Sequence, residues 1–353
     1  MIRRGLGAAA VLLVLLASPA GAAPARCDGY GPVRTTGHVA TADSEISGVA
    51  ASRRHPGVWW VHDDSGGKPD VTAIGEAGQD LGTFTLPGAE AFDWEDIAAF
   101  DGRLYLADIG DNGHQRKDPR VFRVAEPTAR PTGAGGTLGP VEVLHLAYPG
   151  GPADAEALLV DPRSGDLYVL TKDVGSSRVL RAPAASLVAG ARVPMEEVGR
   201  FDVPDPRSLA FGLPGSLVTG ADVSPDGSTV LVRTYRSILA FARPTDRPLE
   251  AAFGSSPCEA PQAEEAQGEA VGWAADGRSY LFLSEGDHVA VHRVEVRVPA
   301  TTTTTAAPEG AAGSSSSPLS AVLAGVGVLI IVVLVLSSRR RAGRPRTRGS
   351  RRP

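Results

Sequence analysis

An all-β fold is predicted by three features of the chain: no 3.6-residue apolar period through its middle, a high density of turn formers, and an internal repeat. Between about residue 30 and residue 299, short runs of Val, Leu, Ala and Tyr alternate with Gly, Pro, Asp and Ser. Brief strands cut by tight turns give that pattern. The 353 residues include 42 glycines and 28 prolines, which suits a chain that reverses often.

Taken in order, the chain opens on Arg3 and Arg4, an apolar run from Ala8 to Ala17 and the small residues Ala20, Gly21 and Ala22. That is the layout of a secretory signal peptide, residues 1–22. The folded part is expected over 27–299. Its two cysteines, Cys27 and Cys258, are an even pair in an oxidising compartment and predict one disulfide. Residues 300–317, rich in Thr, Ser, Pro and Gly, are too poor in apolar groups to pack and read as a stalk. Leu319 to Leu336 carries no charge over 18 residues, and a transmembrane helix is expected over 318–338. Eight arginines follow in the tail, 339–353, so the positive-inside rule places that tail in the cytoplasm and the folded domain outside the cell membrane. Setting aside those eight and Arg3 and Arg4 leaves 25 basic residues against 40 acidic ones, a net charge of −15. Such a surface repels nucleic acid and favours cations.

Inside the domain a hairpin recurs. Its most acidic copy is DWEDIAAFDGRLYLADIGDN (93–112), two short strands joined at Asp101-Gly102. Related copies span 45–66, 154–173, 218–237 and 268–287, and between copies there is room for two further strands. A four-stranded unit repeated at about 40 to 65 residues is the sign of a β-propeller. Five blades are expected, with six as the alternative. The last blade is one strand short, and residues 32–40 near the N-terminus would complete it and close the ring. Trp59, Trp60, Trp94 and Trp273 are expected to pack between blades.

The first strand of a blade lines the central channel. Aligning the five copies on their turns puts Ser47, Glu95, Glu156, Thr219 and Glu269 at one equivalent position. Second-strand exits reach the same face with His62, Asp63, Asp108, Lys172 and Arg233 among them. Carboxylates converging on a channel repel one another unless protonated or neutralised. A hard cation with oxygen ligands, Ca²⁺, is therefore expected at Glu95, Glu156, Glu269 and Asp108. Asp111, Asn112 and Arg116, just past the second hairpin, join His62, Asp63, Lys172 and Arg233 as candidate ligand-binding residues. Asp108 to Asn112 has the composition of a metal loop but lacks the continued pattern of an EF-hand. No GxSxG or CxxC occurs, so a serine nucleophile or a cysteine-bound zinc site has no sequence support.

The segments ISGVAASRRHPGVWWVHDDSG, DWEDIA, LYLADIGDN, DAEALLVDPRSGDLYVLTK, VTGADVSPDG and QGEAV together resemble a group of secreted or membrane-anchored bacterial β-propellers. More distantly, Asp-x-Glu at a blade start is similar to the calcium-dependent and esterase-like phytase propellers. That resemblance implies cation ligation by Glu95, Glu156 and Glu269 at the channel mouth. It departs from the pattern in blade number, five against six, and in its few basic residues. Three functions are carried forward: a cation-dependent module binding an extracellular protein, glycan or phosphoester; a metal-dependent phosphoester hydrolase; and a glycosidase using paired channel carboxylates.

Overall fold

The computed structural model describes residues 24–40, 45–64, 68–203, 215–265 and 267–297. The signal peptide, stalk, membrane helix and tail expected from the sequence lie outside the described residues. No helix among the described residues is long and apolar enough to cross a membrane.

The described chain forms five antiparallel-based sheets arranged as the blades of a propeller. Their inner strands are Ile46–Ala51, Trp94–Phe100, Ala155–Val160, Val218–Val223 and Gly268–Trp273. Each is hydrogen-bonded to the next strand of its hairpin, as the repeat predicted; a sixth blade is absent from the described residues. In blade two the hairpin turns at Asp101 (φ 48°) and Gly102 (φ 68°). A type I′ turn needs positive φ at both central residues, and Asp-Gly supplies it at low cost. Blade five takes its outer strand, Arg34–His38, from the N-terminus, antiparallel to Ala290–Glu295. The ring is closed by residues far apart in sequence.

Buried apolar side chains fall into five large clusters, and each bridges two neighbouring blades. Trp60 and Trp94 pack between blades one and two, Trp59 between five and one, and Trp273 between four and five. Burial of this kind, at about 25 cal/mol per Å² of apolar surface, makes the joints the main source of cohesion.

Every outer edge is also covered by the following blade, from the segment that precedes that blade's own outer strand. Gly136–Thr137 runs parallel to Asp80–Thr85 on blade one, and Arg192–Pro194 runs parallel to Glu142–Ala147 on blade two. On blade three the cover is a short 3₁₀ helix, Leu249–Gly254, whose Phe253 stacks on Phe201 at 4.8 Å. Blade four receives Arg26 beside Glu259. Blade five meets the tight turn at 76–79, where Thr36 Oγ1 donates to the Glu76 carbonyl at 2.9 Å. Gly37 lies so close there that a Cβ would fall 2.2 Å from the Ala77 oxygen. Covering edges in this way removes the templates on which another strand could pair.

Cys27 and Cys258 are bonded, with Cα atoms 4.9 Å apart across 231 residues. Cys258 is not part of the loop that leads into blade five. It instead begins the outer strand of blade four, Cys258–Ala260, and the N-terminal leader reaches blade four before it reaches blade five. The Cys27 and Glu259 amides donate to the Glu259 and Ala25 carbonyls, at 2.9 and 2.7 Å. The bond therefore pins the segment that closes the ring, and closing so long a loop is worth about 5 kcal/mol in a chain-entropy account.

Candidate functional site: the channel mouth

All five inner strands carry a register shift at the same place, between Ile46 and Gly48, Trp94 and Asp96, Ala155 and Ala157, Val218 and Gly220, and Gly268 and Ala270. The residues inside these bulges are Ser47, Glu95, Glu156, Thr219 and Glu269, the five that the hairpin alignment made equivalent. A bulge kinks the strand and re-aims its side chain, so one backbone device repeated five times defines one end of the channel. All five are buried. Ser47 Oγ donates to the Glu95 carbonyl at 2.6 Å, and Thr219 Oγ1 to the Gly268 carbonyl at 2.9 Å, tying adjacent blades together. The carboxyl groups of Glu95 and Glu156 meet each other and Lys172, and that of Glu269 meets the Gln267 side chain.

Lys172, from the second-strand exit of blade three, places Nζ 2.6 Å from Glu156 Oε1 and 5.2 Å from the centre of the Tyr235 ring. Its charge also favours ionisation of Glu95 and Glu269, so one ammonium serves three carboxyl groups. That is too little. Burial, and then the charge of Glu156, holds the Glu95 carboxyl well above the usual range. Burial does the same to Glu269, again with Glu156 as the largest charge neighbour. Glu156 is pushed up to about 7 by burial, against the pull of Lys172 and of a hydrogen bond with Glu95. The direction in this pair is that Glu95 keeps the proton and Glu156 accepts it. Lys172 is raised, because its carboxylate partner outweighs its own desolvation. Asp93 is raised to about 6 by burial and by Asp154, Asp64 and Asp108. Glu285 is raised as well, chiefly by burial and Asp64.

Below the bulges the channel closes. Gly272 and Gly220 lie against neighbouring inner strands, where a Cβ would fall 2.6 Å from the Val49 oxygen and 2.8 Å from the Glu269 oxygen. Asp96 spans this waist. Its Oδ1 accepts the Ile97 amide at 2.8 Å, while Oδ2 accepts Leu158 N at 2.9 Å and Ala221 N at 3.2 Å. One carboxyl group thus joins blades two, three and four. Asp222 likewise accepts Val223 N at 2.8 Å and Trp273 N at 2.7 Å, joining four to five. Asp96 is the fastener of the channel.

The other predicted residues divide by their partners. Asp108 is wholly buried, with Arg116 at 2.5 Å and Arg120 at 2.7 Å on Oδ2 and the Asp93 amide at 3.0 Å on Oδ1. Asp111 uses both oxygens on the amides of Gln115 and Arg116, each at 2.8 Å, and so shapes its loop. Asn112 is exposed on the same loop. Arg233 is fully buried, holding Gln262 at 2.9 Å and paired with Glu265, and Gly268 packs directly on its guanidinium. His62 is buried edge-on to Trp94, with Nδ1 3.0 Å from the Asp63 carbonyl; burial lowers it to about 4, so it is neutral at physiological pH. Asp63 is half-buried at the strand end.

Gly110 explains why the loop after Asp108 must approach so closely. A Cβ there would fall 2.0 Å from Glu95 Oε1 and 2.4 Å from Asp93 Oδ2, so only glycine lets the loop lie over these carboxyls. Asp154, Tyr235, Gln267 and Arg120 were not singled out from the sequence. Asp93, Asp154 and Gln267 all stand two residues ahead of a bulge glutamate, a signal that the copies contain. Arg120 is the direct cross-strand partner of Asp108.

Among the described residues no group of three or more His, Cys, Asp or Glu side chains is arranged to hold a metal ion. The chemistry agrees: Lys172 takes Glu156, two arginines take Asp108, and Glu95 bonds Glu156. These donors are committed to one another and do not fit the calcium site expected from the sequence.

No protein-family model matches the chain, and no curated protein matches it. Among solved structures, the chain is similar to a gluconolactonase from Xanthomonas campestris, with a TM-score of 0.40 and 14% identity over 79% of this chain and 99% of that one. It is also similar to the hydrazine synthase of Kuenenia stuttgartiensis, with a TM-score of 0.41 and 11% identity over 74% and 98%. Likeness at this level carries no argument about activity.

Proposed function

We propose that the chain is a binding module whose acidic channel mouth takes a positively charged ligand. It is displayed outside the cell on a stalk and a single membrane helix, both beyond the described residues. The observation that carries this reading is the charge imbalance at the mouth. Glu95, Glu156, Glu269 and Glu285 draw on the one ammonium of Lys172, and burial and neighbouring carboxylates raise all four above the usual range. A second cation entering there would displace protons and relieve the repulsion. The preference for cations is general over a domain with so large an acid excess.

The enzyme readings have less behind them. A retaining glycosidase needs its two carboxyls about 5 Å apart and an inverting one about 6.5 to 9.5 Å. Glu95 and Glu156 are bonded to each other instead. For a phosphoester hydrolase the basic groups are committed, Lys172 to Glu156, Arg233 to Glu265 and Arg116 to Asp108.

Calorimetry on the full-length protein with Ca²⁺ and with a short aliphatic diamine tests the reading. Binding of at least one cation is expected to be tighter at about pH 8 than at about pH 6, with protons released into the buffer. Glu269→Gln is expected to weaken it. If neither cation binds at either pH, the reading fails. Phosphoester turnover that disappears on chelation would replace it with the hydrolase.

A further inference from the structure

A second site of opposite character lies on the flank of blade two. There the segment at 116–119 faces the stretch from Leu146 to Pro152, with Arg192 beside them, around a cavity of about 270 Å³. Arg116, Lys117 and Arg192 line it, and no carboxylate does. That composition runs against the acid excess of the domain. The nearby acids are turned to other partners: Asp118 to His145 Nδ1 at 2.9 Å, Asp111 to the amides of Gln115 and Arg116, and Asp154 to the Asp111 amide at 2.8 Å. Arg116 is held rigid, with Nη2 on Asp108 at 2.5 Å and Nη1 on the Gly110 carbonyl at 3.2 Å. Lys117 and Arg192 are exposed and form no ion pair among the described residues. Tyr148 also lines the cleft, and its hydroxyl is buried with no hydrogen-bond partner among the described residues. A buried hydroxyl left unpaired is costly and calls for an acceptor.

We propose that this cleft is an oxyanion subsite, in which a phosphate- or carboxylate-bearing group is held by Lys117, Arg192 and the Tyr148 hydroxyl beside the fixed charge of Arg116. The anion supplies the acceptor that Tyr148 lacks, and its charge is met by side chains that cost little to recruit because they have no partner to leave. Burial raises the Tyr148 phenol, so it stays protonated and donates throughout the physiological range. This subsite rests on different residues from the channel mouth and does not depend on what the mouth binds.

The experiment is calorimetric titration of the full-length protein with inorganic phosphate, and with acetate as the carboxylate probe, at constant ionic strength. Saturable one-to-one binding of either anion is expected. Arg192→Gln and Lys117→Gln are each expected to weaken it about tenfold, the size of one charge-assisted hydrogen bond. Tyr148→Phe should weaken it less, and Glu269→Gln, which alters the mouth, should leave it unchanged. Lys117 and Arg192 are exposed, so their variants fold and the comparison stands on its own. Absence of saturable binding by both anions overturns the proposal. So does an affinity that is the same in the wild type, Arg192→Gln and Lys117→Gln proteins.

Discussion

Glu95 and Asp96 are consecutive, equally buried acids on the same inner strand, and they do opposite things. Asp96, at the waist, has its oxygens filled by three backbone amides from three blades. Glu95, one residue nearer the mouth, meets another carboxyl group and a shared ammonium. The waist is a closed set in which every donor has its acceptor. Burial raises both acids, but at the waist backbone amides oppose the rise, whereas at the mouth the charge of a neighbouring carboxylate adds to it. Burial of an acid therefore says little about its role; the identity of its partners decides whether it fastens the fold or leaves an opening for a ligand.

The most severe way to test that contrast is at the waist. Asp96→Ala orphans three buried amides on three blades, and each costs about 1 to 3 kcal/mol, so a loss of about 5 kcal/mol is expected. Thermal or urea unfolding reads it directly. A loss below about 1 kcal/mol would mean that the amides find other acceptors and that the waist is not closed by this residue.

At the mouth the cost should depend on pH. Lys172→Met leaves Glu156 buried without its cation, which costs about 3 kcal/mol if the carboxyl stays charged. The folded pKa of Glu156, about 7, lies above its ordinary value of 4.5, so the folded state binds the proton more tightly than the unfolded one. Stability from that proton is complete below the ordinary value and is lost as pH rises through about 7. Lys172→Met should raise the folded value further and move the loss to a wider window. The variant is thus expected to be close to wild type at about pH 5 and about 1 kcal/mol less stable at about pH 8, since only the pH interval above the wild-type value of about 7 separates the two proteins, at about 1.4 kcal/mol per unit. Unfolding curves across that range check it, and a penalty independent of pH would show that Lys172 acts by packing alone.

The same contrast marks how far the sequence could be read. The repeat was legible because its turns are: Asp101-Gly102, Asp226-Gly227 and Asp276-Gly277 punctuate hairpins at blade spacing, and aligning on them found the five bulge residues. The closing strand was legible because the last blade ran out of chain. Asp96 was not, for a physical reason. Strict alternation along a strand sends neighbours 95 and 96 to opposite faces, but the bulge resets the alternation and turns both toward the channel. Lys172 was placed on the correct face, yet no pattern reports that a long flexible side chain will lie back on Glu156 and stand where a cation was expected. Asp108 looked like a free ligand because its partner Arg120 lies across the next strand, visible only once the register is known.

The smallest effect should have the opposite sign. Glu95→Gln replaces a carboxyl that holds its proton with an amide that holds its hydrogens at every pH, and the amide can still donate to Glu156. At about pH 5 the two proteins should be equally stable, because the wild-type side chain is then neutral as well. As pH rises, the wild type pays for its raised Glu95 pKa by losing stability and the variant does not, so a gain of about 1 kcal/mol is expected at about pH 8. The same substitution at Asp96 has no such excuse, since amide donors already fill that carboxyl and an Asn NH₂ would face one of them. Asp96→Asn is therefore destabilising at about pH 5, where Glu95→Gln is neutral; burial raises Asp96 too, so its penalty narrows as pH rises while Glu95→Gln becomes stabilising. If both variants lose stability in parallel, the mouth is as closed as the waist and no room for a cationic ligand is left between the glutamates.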